Sequence, residues 1–244
     1  MGLWELNGLL YSKKIVKSLI DNSNKLIYQI SMDGMKDSHD FIRGEGTFDT
    51  ISYNIQKIRD DFPNLNIQIN FNVNSKNKND LPELIPYIKQ LGVNGIMTDR
   101  YVPHNKCELD ILTYEEYKKY DTIINTMYEK YNDSKFHILR HRSLQNDMSF
   151  HCEACIENQI CCANGDRFAC SRYHIKTGNW FTDDVDTLVR SAIQHANILL
   201  KLPKECESCI HSSICNGGMR CLTYHTLNNI SKKDIHCFKY CKKV

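Results

Sequence analysis

The first 106 residues of this 244-residue chain contain no cysteine, although the chain has twelve. One of the twelve, Cys107, precedes residue 152, and the other eleven crowd into the last 93 residues. An excess of one charge is lacking too. Lys and Arg number 31 against 29 Asp and Glu, a formal charge of +2, so there is no electrostatic case for a nucleic-acid partner. No apolar run approaches the roughly 20 residues that span a bilayer, so no membrane association is expected. A basic stretch followed by an apolar core, the mark of a secretory signal, is absent from the N-terminus. The expected compartment is therefore cytoplasmic and reducing, where clustered thiols serve as metal ligands more often than as disulfides. The length suits one full-sized domain or a domain plus a small module.

What is present in the first part is alternation. Residues 10–19 place Ile15, Val16 and Leu19 at helical spacing, and Leu26–Ser31 reads as a buried strand. The period returns to a helix over 48–62 through Ile51, Ile55 and Ile58, and Ile67–Val73 alternates as a strand does. Residues 81–91 predict a helix capped by Gly92, residues 95–98 a short strand, and Tyr114–Tyr131 a long helix. Such an α/β order implies right-handed crossovers and a parallel sheet. Only three or four units are supplied, and a closed eight-unit barrel needs roughly 200 residues, so the sheet is partial or open.

From about residue 150 the texture changes. Asn164-Gly165 sits between the short runs 159–163 and 166–170, a two-residue hairpin signal. With that turn, Cys161 faces residue 168 and shares a face with Cys170, while Cys162 points away. Val185–Leu200 predicts an amphipathic helix with Val185, Leu188, Val189, Ala192, Ile193, Ala196 and Leu199 on one stripe. Beyond it, Cys206-x2-Cys209 puts two thiols within one tight turn, and Cys215 reaches the same centre. Thiols at this density signal a metal. Four-thiolate sites hold either zinc or iron–sulfur. Paired knuckles, which zinc ribbons favour, are scarce here, and that tilts the reading towards iron–sulfur.

Gly165-x4-Cys170, then Cys206-x2-Cys209-x5-Cys215, Cys221 and a late Cys237 resemble the SPASM domain, the C-terminal extension of a subgroup of radical S-adenosylmethionine enzymes. Cys152 and Cys155 both stand where that pattern has its first cysteine. One departure is Cys215-x5-Cys221, two residues longer than usual. Upstream, Leu6-Asn7-Gly8-Leu9-Leu10 resembles the end of the third strand of the family's barrel. Ile30-Ser31-Met32-Asp33-Gly34, with His39-Asp40 and Ile42-Arg43-Gly44, resembles the fourth strand and its loop. Asn72-Val73-Asn74 and Arg100-Tyr101-Val102-Pro103 resemble the fifth and sixth strands.

The resemblance implies a partial (β/α)6 radical-SAM barrel lacking its first strands over residues 1–133, and a small cysteine-rich SPASM domain over 134–244. It implies S-adenosyl-L-methionine with Ser31 and Arg43 at the cofactor's ribose and carboxylate. It further implies two auxiliary [4Fe-4S] clusters. One would be held by Cys155, Cys161, Cys170 and Cys221 with Cys152 as substitute for Cys155, the other by Cys206, Cys209, Cys215 and Cys237. The implied activity is radical modification of a ribosomally made peptide or protein, with flavodoxin or ferredoxin as reductant. Ser171 stands where sulfatase-maturing members carry an Asp, which argues against that substrate; Tyr173 and His174 are candidates for substrate contact. The family's Cys-x3-Cys-x2-Cys loop and its Gly-Gly-Glu-Pro segment are absent, so the expectation is an N-terminally truncated chain inactive by itself. Two other readings stand beside it: a non-catalytic iron–sulfur module for electron transfer or peptide binding, and a zinc-binding structural module.

Overall fold

Apolar runs rich in isoleucine, separated by amphipathic stretches, build the first of two units in the computed structural model. That unit comprises residues 1–101 and 109–143, and the second comprises 102–108 and 144–244. The structure describes residues 2–23, 25–103, 109–140, 152, 154, 155 and 159–237. Cys107 and Cys241 lie outside the described residues.

The first unit runs β1 (Gly2–Leu6), α1 (Lys13–Asp21), β2 (Leu26–Ser31), α2 (Lys36–Arg43), α3 (Thr47–Asp61), β3 (Asn66–Val73), α4 (Leu81–Gln90), β4 (Gly95–Arg100), α5 (Tyr114–Tyr131) and β5 (His137–Arg140). The strands form one five-stranded sheet in sequence order, every pair parallel. This is the partial, open sheet that the alternation implies. It has one strand more at each end than the apolar pattern marks, because β1 and β5 are short edge strands.

Alternation along the strands gives the sheet two unlike faces. Tyr28, Ile30, Ile67, Ile69, Phe71, Val73 and Ile96 are buried on one, in the core that also takes Val16, Ile51, Ile55, Ile58, Leu84, Ile85 and Ile88 from the helices. The other face is polar. Glu5 stands beside Gln29, Gln29 beside Gln68, Ser31 beside Asn70, and Asn72 beside Asp99. A parallel sheet with both faces packed by helices is apolar on both. This one keeps a row of amides and carboxylates on the face a barrel would enclose.

In the second unit β6 (Ile160–Cys161), β7 (Asp166–Phe168) and β8 (Lys176–Asn179) make a small antiparallel sheet. Then follow α6 (Val185–Leu200), a 3-10 turn over Lys204–Cys206, α7 (Ser212–Cys215) and α8 (Arg220–Leu227). The helix over 185–200 has the expected ends, and its N-terminus is fixed by Asp184, whose carboxylate accepts from the Thr187 N–H at 2.8 Å. Its expected stripe is divided. Leu188, Ala192, Ala196 and Leu199 are buried, whereas Val185, Val189 and Ile193 are exposed.

The hairpin departs from expectation. The Cys162 N–H donates to the Asp166 carbonyl at 2.8 Å, the Gly165 N–H donates to the Cys162 carbonyl at 2.9 Å, and Cys161 pairs with Arg167. Residues 163–165 thus form a three-residue turn, with Gly165 left-handed at φ +82°. The side chain of Asn164 accepts from the Asp166 N–H at 3.1 Å, which locks this longer form. The register therefore slips by one residue, and every side chain on β6 changes face relative to β7. Cys161 no longer opposes residue 168, so the geometric preference for it over Cys162 is lost.

Candidate functional site

At the ends of the parallel strands, Ser31 is buried on the polar face of β2. Two residues on, Asp33 is also buried, and its carboxylate is saturated. Its Oδ1 accepts from the Asn72 N–H at 2.9 Å and its Oδ2 accepts from Arg43 Nε at 2.7 Å, with Arg43 Nη2 at the same distance. The guanidinium expected to meet a cofactor's carboxylate is here engaged with Asp33. Asp33-Gly34 is a turn-forming pair by residue type. The acidic residue instead anchors Arg43 across α2, a role that spacing from Arg43 alone hints at.

His39, in the stretch that resembles the loop after the fourth barrel strand, is fully buried. Its Nδ1 accepts from the Asp33 N–H at 3.0 Å, so the ring carries its proton on Nε2. Burial lowers its pKa from the usual histidine range, and Asp33 pulls weakly the other way. Nε2 has no hydrogen-bond partner, and the ring sits edge-on to Phe48 at 5.9 Å.

The thiols of the second unit sort into two groups. Cys155 lies in a buried core with Ala154, Ala169, Tyr173, Ala192, Ala196 and Leu199, and Cys152, Cys170 and Cys221 pack against the same core. Cys155 adopts φ +68° and donates its N–H to the Ala169 carbonyl at 2.9 Å, which holds it against the strand leading to Cys170. Burial pushes its thiol up to about 11. Arg167 opposes this, while Cys170 and Cys152 add to it. The sulfur of Cys170 accepts two backbone N–H groups, from Arg172 at 3.3 Å and Tyr173 at 3.1 Å. Two donors aimed at one sulfur suit a thiolate. Cys161 is exposed and stands apart from this core.

The second group is Cys206, Cys209, Cys215 and Cys237. Cys206 and Cys209 share a turn in which the Cys209 N–H donates to the Cys206 carbonyl at 3.1 Å. Burial raises the Cys206 thiol to about 11, and Cys237, Cys215, Cys209 and Glu205 push in the same direction. Cys215 is raised by burial first, then by Asp234 and Cys237. Asp234 ties the segment together. It accepts from the Met219 N–H at 2.7 Å and the His236 N–H at 2.9 Å, and its N–H donates to the Gly217 carbonyl at 3.1 Å. A spacing of Cys215-x3 falls on Met219, fully buried, and the thiol two residues later faces the first group instead.

Among the described residues, no three His, Cys, Asp or Glu side chains close to the spacing of a single bound ion. Two groups that contain thiols and no imidazole have the donor chemistry of a four-thiolate site, which serves zinc or iron–sulfur. Tyr173 is buried and His174 stacks on Phe168 with ring centroids 4.0 Å apart, so both serve the packing of this unit.

No protein-family model and no curated protein matches the chain. Solved structures do. The structure of native anSMEcpe with bound AdoMet and Kp18Cys peptide is 18% identical, with a TM-score of 0.71 over 98% of this chain and 71% of that one. Hexahistidine-tagged anSMEcpe with bound AdoMet gives 0.75 at the same identity, covering 67% of that chain. Streptococcus suis SuiB bound to its precursor peptide SuiA gives 0.68 at 14% identity, over 97% of this chain and 58% of that one. The chain shares the fold of these structures. Its five-stranded parallel sheet with flanking helices is a partial barrel-like core of that fold, and the second unit is consistent with the SPASM extension. The chain spans less than two thirds of SuiB. No helix among the described residues is long and apolar enough to cross a membrane.

Proposed function

We propose that this chain serves a radical S-adenosylmethionine/SPASM enzyme that modifies a side chain of a ribosomally made peptide or protein, and that it holds two auxiliary [4Fe-4S] clusters. The observation that carries the reading is the sorting of eight thiols into two groups of four. Cys152, Cys155, Cys170 and Cys221 are assigned to one cluster. Cys206, Cys209, Cys215 and Cys237 are assigned to the other. Cys161, exposed and outside the shared core, gives its place to Cys152.

Such clusters supply a site that accepts or donates one electron at a time. The residues of the chain do the rest. The N–H groups of Arg172 and Tyr173 donate to the Cys170 sulfur and would orient it as a cluster ligand. Ser31 and Arg43 would face S-adenosyl-L-methionine at the strand ends, which requires Arg43 to exchange Asp33 for the cofactor's carboxylate. The polar face of the sheet would receive the peptide, as anSMEcpe and SuiB are each found with one. Flavodoxin or ferredoxin is the class of reductant such an enzyme takes.

Anaerobic reconstitution with iron and sulfide tests this directly. About eight iron and eight sulfide per chain are expected from two four-iron clusters. A colourless protein that retains zinc would sink the proposal in favour of a structural zinc module. The non-catalytic reading is favoured by one observation, the lack of any Cys-x3-Cys-x2-Cys sequence in this chain. Accordingly, this chain with S-adenosylmethionine and reductant is expected to release no 5′-deoxyadenosine unless that loop is supplied with it.

A further inference from the structure

Arg220 is the first residue of α8 and is only 6% exposed. Its guanidinium donates entirely to carbonyl oxygens: Nη1 to Leu199 at 2.7 Å, Nη2 to Ile198 at 3.1 Å, and Nε to Ile230 at 2.8 Å, with further bonds to Lys201 and Ile230. Ile198 and Leu199 end α6, so Arg220 caps that helix and stitches it to the loop at Ile230. Among the described residues no carboxylate pairs with it. A buried cation without a counter-ion is costly.

The surroundings name the missing anion. Leu199 and Ile230, two of its acceptors, belong to or pack against the core that carries Cys152, Cys155, Cys170 and Cys221. On the other side, its Cδ lies 3.4 Å from where a side chain at Gly217 would begin, two residues after Cys215. The groups whose ionised forms would stabilise it are Cys152, in the first thiol group, Cys206, in the second, and Tyr173.

We infer that Arg220 is a permanent counter-charge shared by the two thiolate groups, and that it raises the reduction potential of the cluster bound at each. The inference rests on the reading of two clusters given above. Reduction adds one electron to a centre that is already anionic, so a fixed positive charge favours the reduced state. At an effective dielectric of about 20, a unit charge within about 10 Å alters such an equilibrium by on the order of tenfold. The helix C-terminus offsets part of the charge, and the thiol groups, once ionised as cluster ligands, would offset the rest.

The test compares Arg220→Gln and Arg220→Lys in the full reconstituted chain by potentiometric titration followed by electron paramagnetic resonance. Arg220→Gln is expected to lower both midpoint potentials in parallel, about tenfold in each reduction constant, or 59 mV for a one-electron couple. Arg220→Lys, which keeps the charge and loses the fork, is expected to melt earlier yet keep both potentials within about twofold of the wild type's reduction constants. Unchanged potentials in Arg220→Gln, or equal shifts in both variants, would overturn the inference. If Arg220→Gln does not load, Lys201→Glu takes its place. Lys201 is exposed and its carbonyl accepts from Arg220, so a negative charge introduced at this position opposes the guanidinium's and should lower both potentials. No shift there would overturn the inference as well. A wild-type chain that takes up no iron overturns both proposals, whereas a loaded wild type whose variants keep its potentials overturns this one alone.

Discussion

A thiol that ligates a cluster shares its surroundings with its co-ligands. Cys152 does so and Cys161 does not. Cys152→Ser is therefore expected to remove about half of the iron, one cluster of two, from the reconstituted chain. Cys161→Ser should leave the iron content unchanged, and loss of iron in that variant would return Cys161 to the ligand set. The sequence marked the stretch where these thiols cluster. Its preference for Cys161 over Cys162 rested on a hairpin register, and a slip of one residue reverses which side chains share a face. Asp33 shows the same limit. It reads as a turn residue, and only the folded chain brings it to Arg43 and Asn72. Removing it in Asp33→Ala strands a half-buried guanidinium and a backbone N–H, and should cost about 3 kcal/mol in urea unfolding. A cost under about 1 kcal/mol would mean that Arg43 finds another partner.

Elements were most legible where a local chemical signal fixed their ends. Helix α5 runs as expected because Thr113 and Glu116 form a reciprocal cap, with the Thr113 N–H donating to Glu116 at 2.9 Å and the Glu116 N–H donating to Thr113 at 3.3 Å. Lys78 adds a charged partner, and these bonds hold the Glu116 carboxyl down at about 2. Its folded pKa lies below the ordinary value, so its contribution is complete above about pH 4.5 and is lost as pH falls towards 2. Glu116→Gln should flatten the thermal stability profile in that window relative to the wild type; parallel profiles would remove Glu116 from the account. Elements were least legible where tertiary context decided. An apolar residue at helical spacing predicts a helix, yet α6 carries more apolar residues than its neighbours cover, so pattern alone overstated the buried stripe. In the hairpin, Asn-Gly signalled a turn but not its length. A methyl group on Gly165 would meet Phe181 at 2.6 Å in a left-handed backbone. Gly165→Ala is thus expected to destabilise the β6–β7 turn by about 2 kcal/mol, seen as faster amide exchange at residues 160–168 with the first unit unaltered.

At the scale of the molecule, the two units differ in what their cores are made of. The first buries isoleucine, leucine and phenylalanine side chains from strands and helices, enough apolar surface to stand without a bound metal. The core around Cys155 is built from two alanines of α6, Ala169 just past β7, Ala154 beside the thiol, one tyrosine and one leucine. Alanines bury little area, and a core this thin needs covalent or metal staples to offset the entropy of ordering its loops. The change of texture near residue 150 was plain in the sequence for the same reason: cysteines replace large apolar side chains as the means of holding the chain. Metal binding and folding should therefore be coupled in the second unit alone. Hydrogen exchange on the full chain, reconstituted and then stripped by an iron chelator under reducing conditions, checks this. Amides over residues 159–237 are expected to lose protection once the iron is removed, with the largest loss at α6, α7 and α8. Strands β2, β3 and β4 should exchange at the same rate before and after. Protection retained throughout the second unit would mean that its small core suffices and that the thiols are not its staples. Loss spread equally over both units would mean that the first core depends on the second.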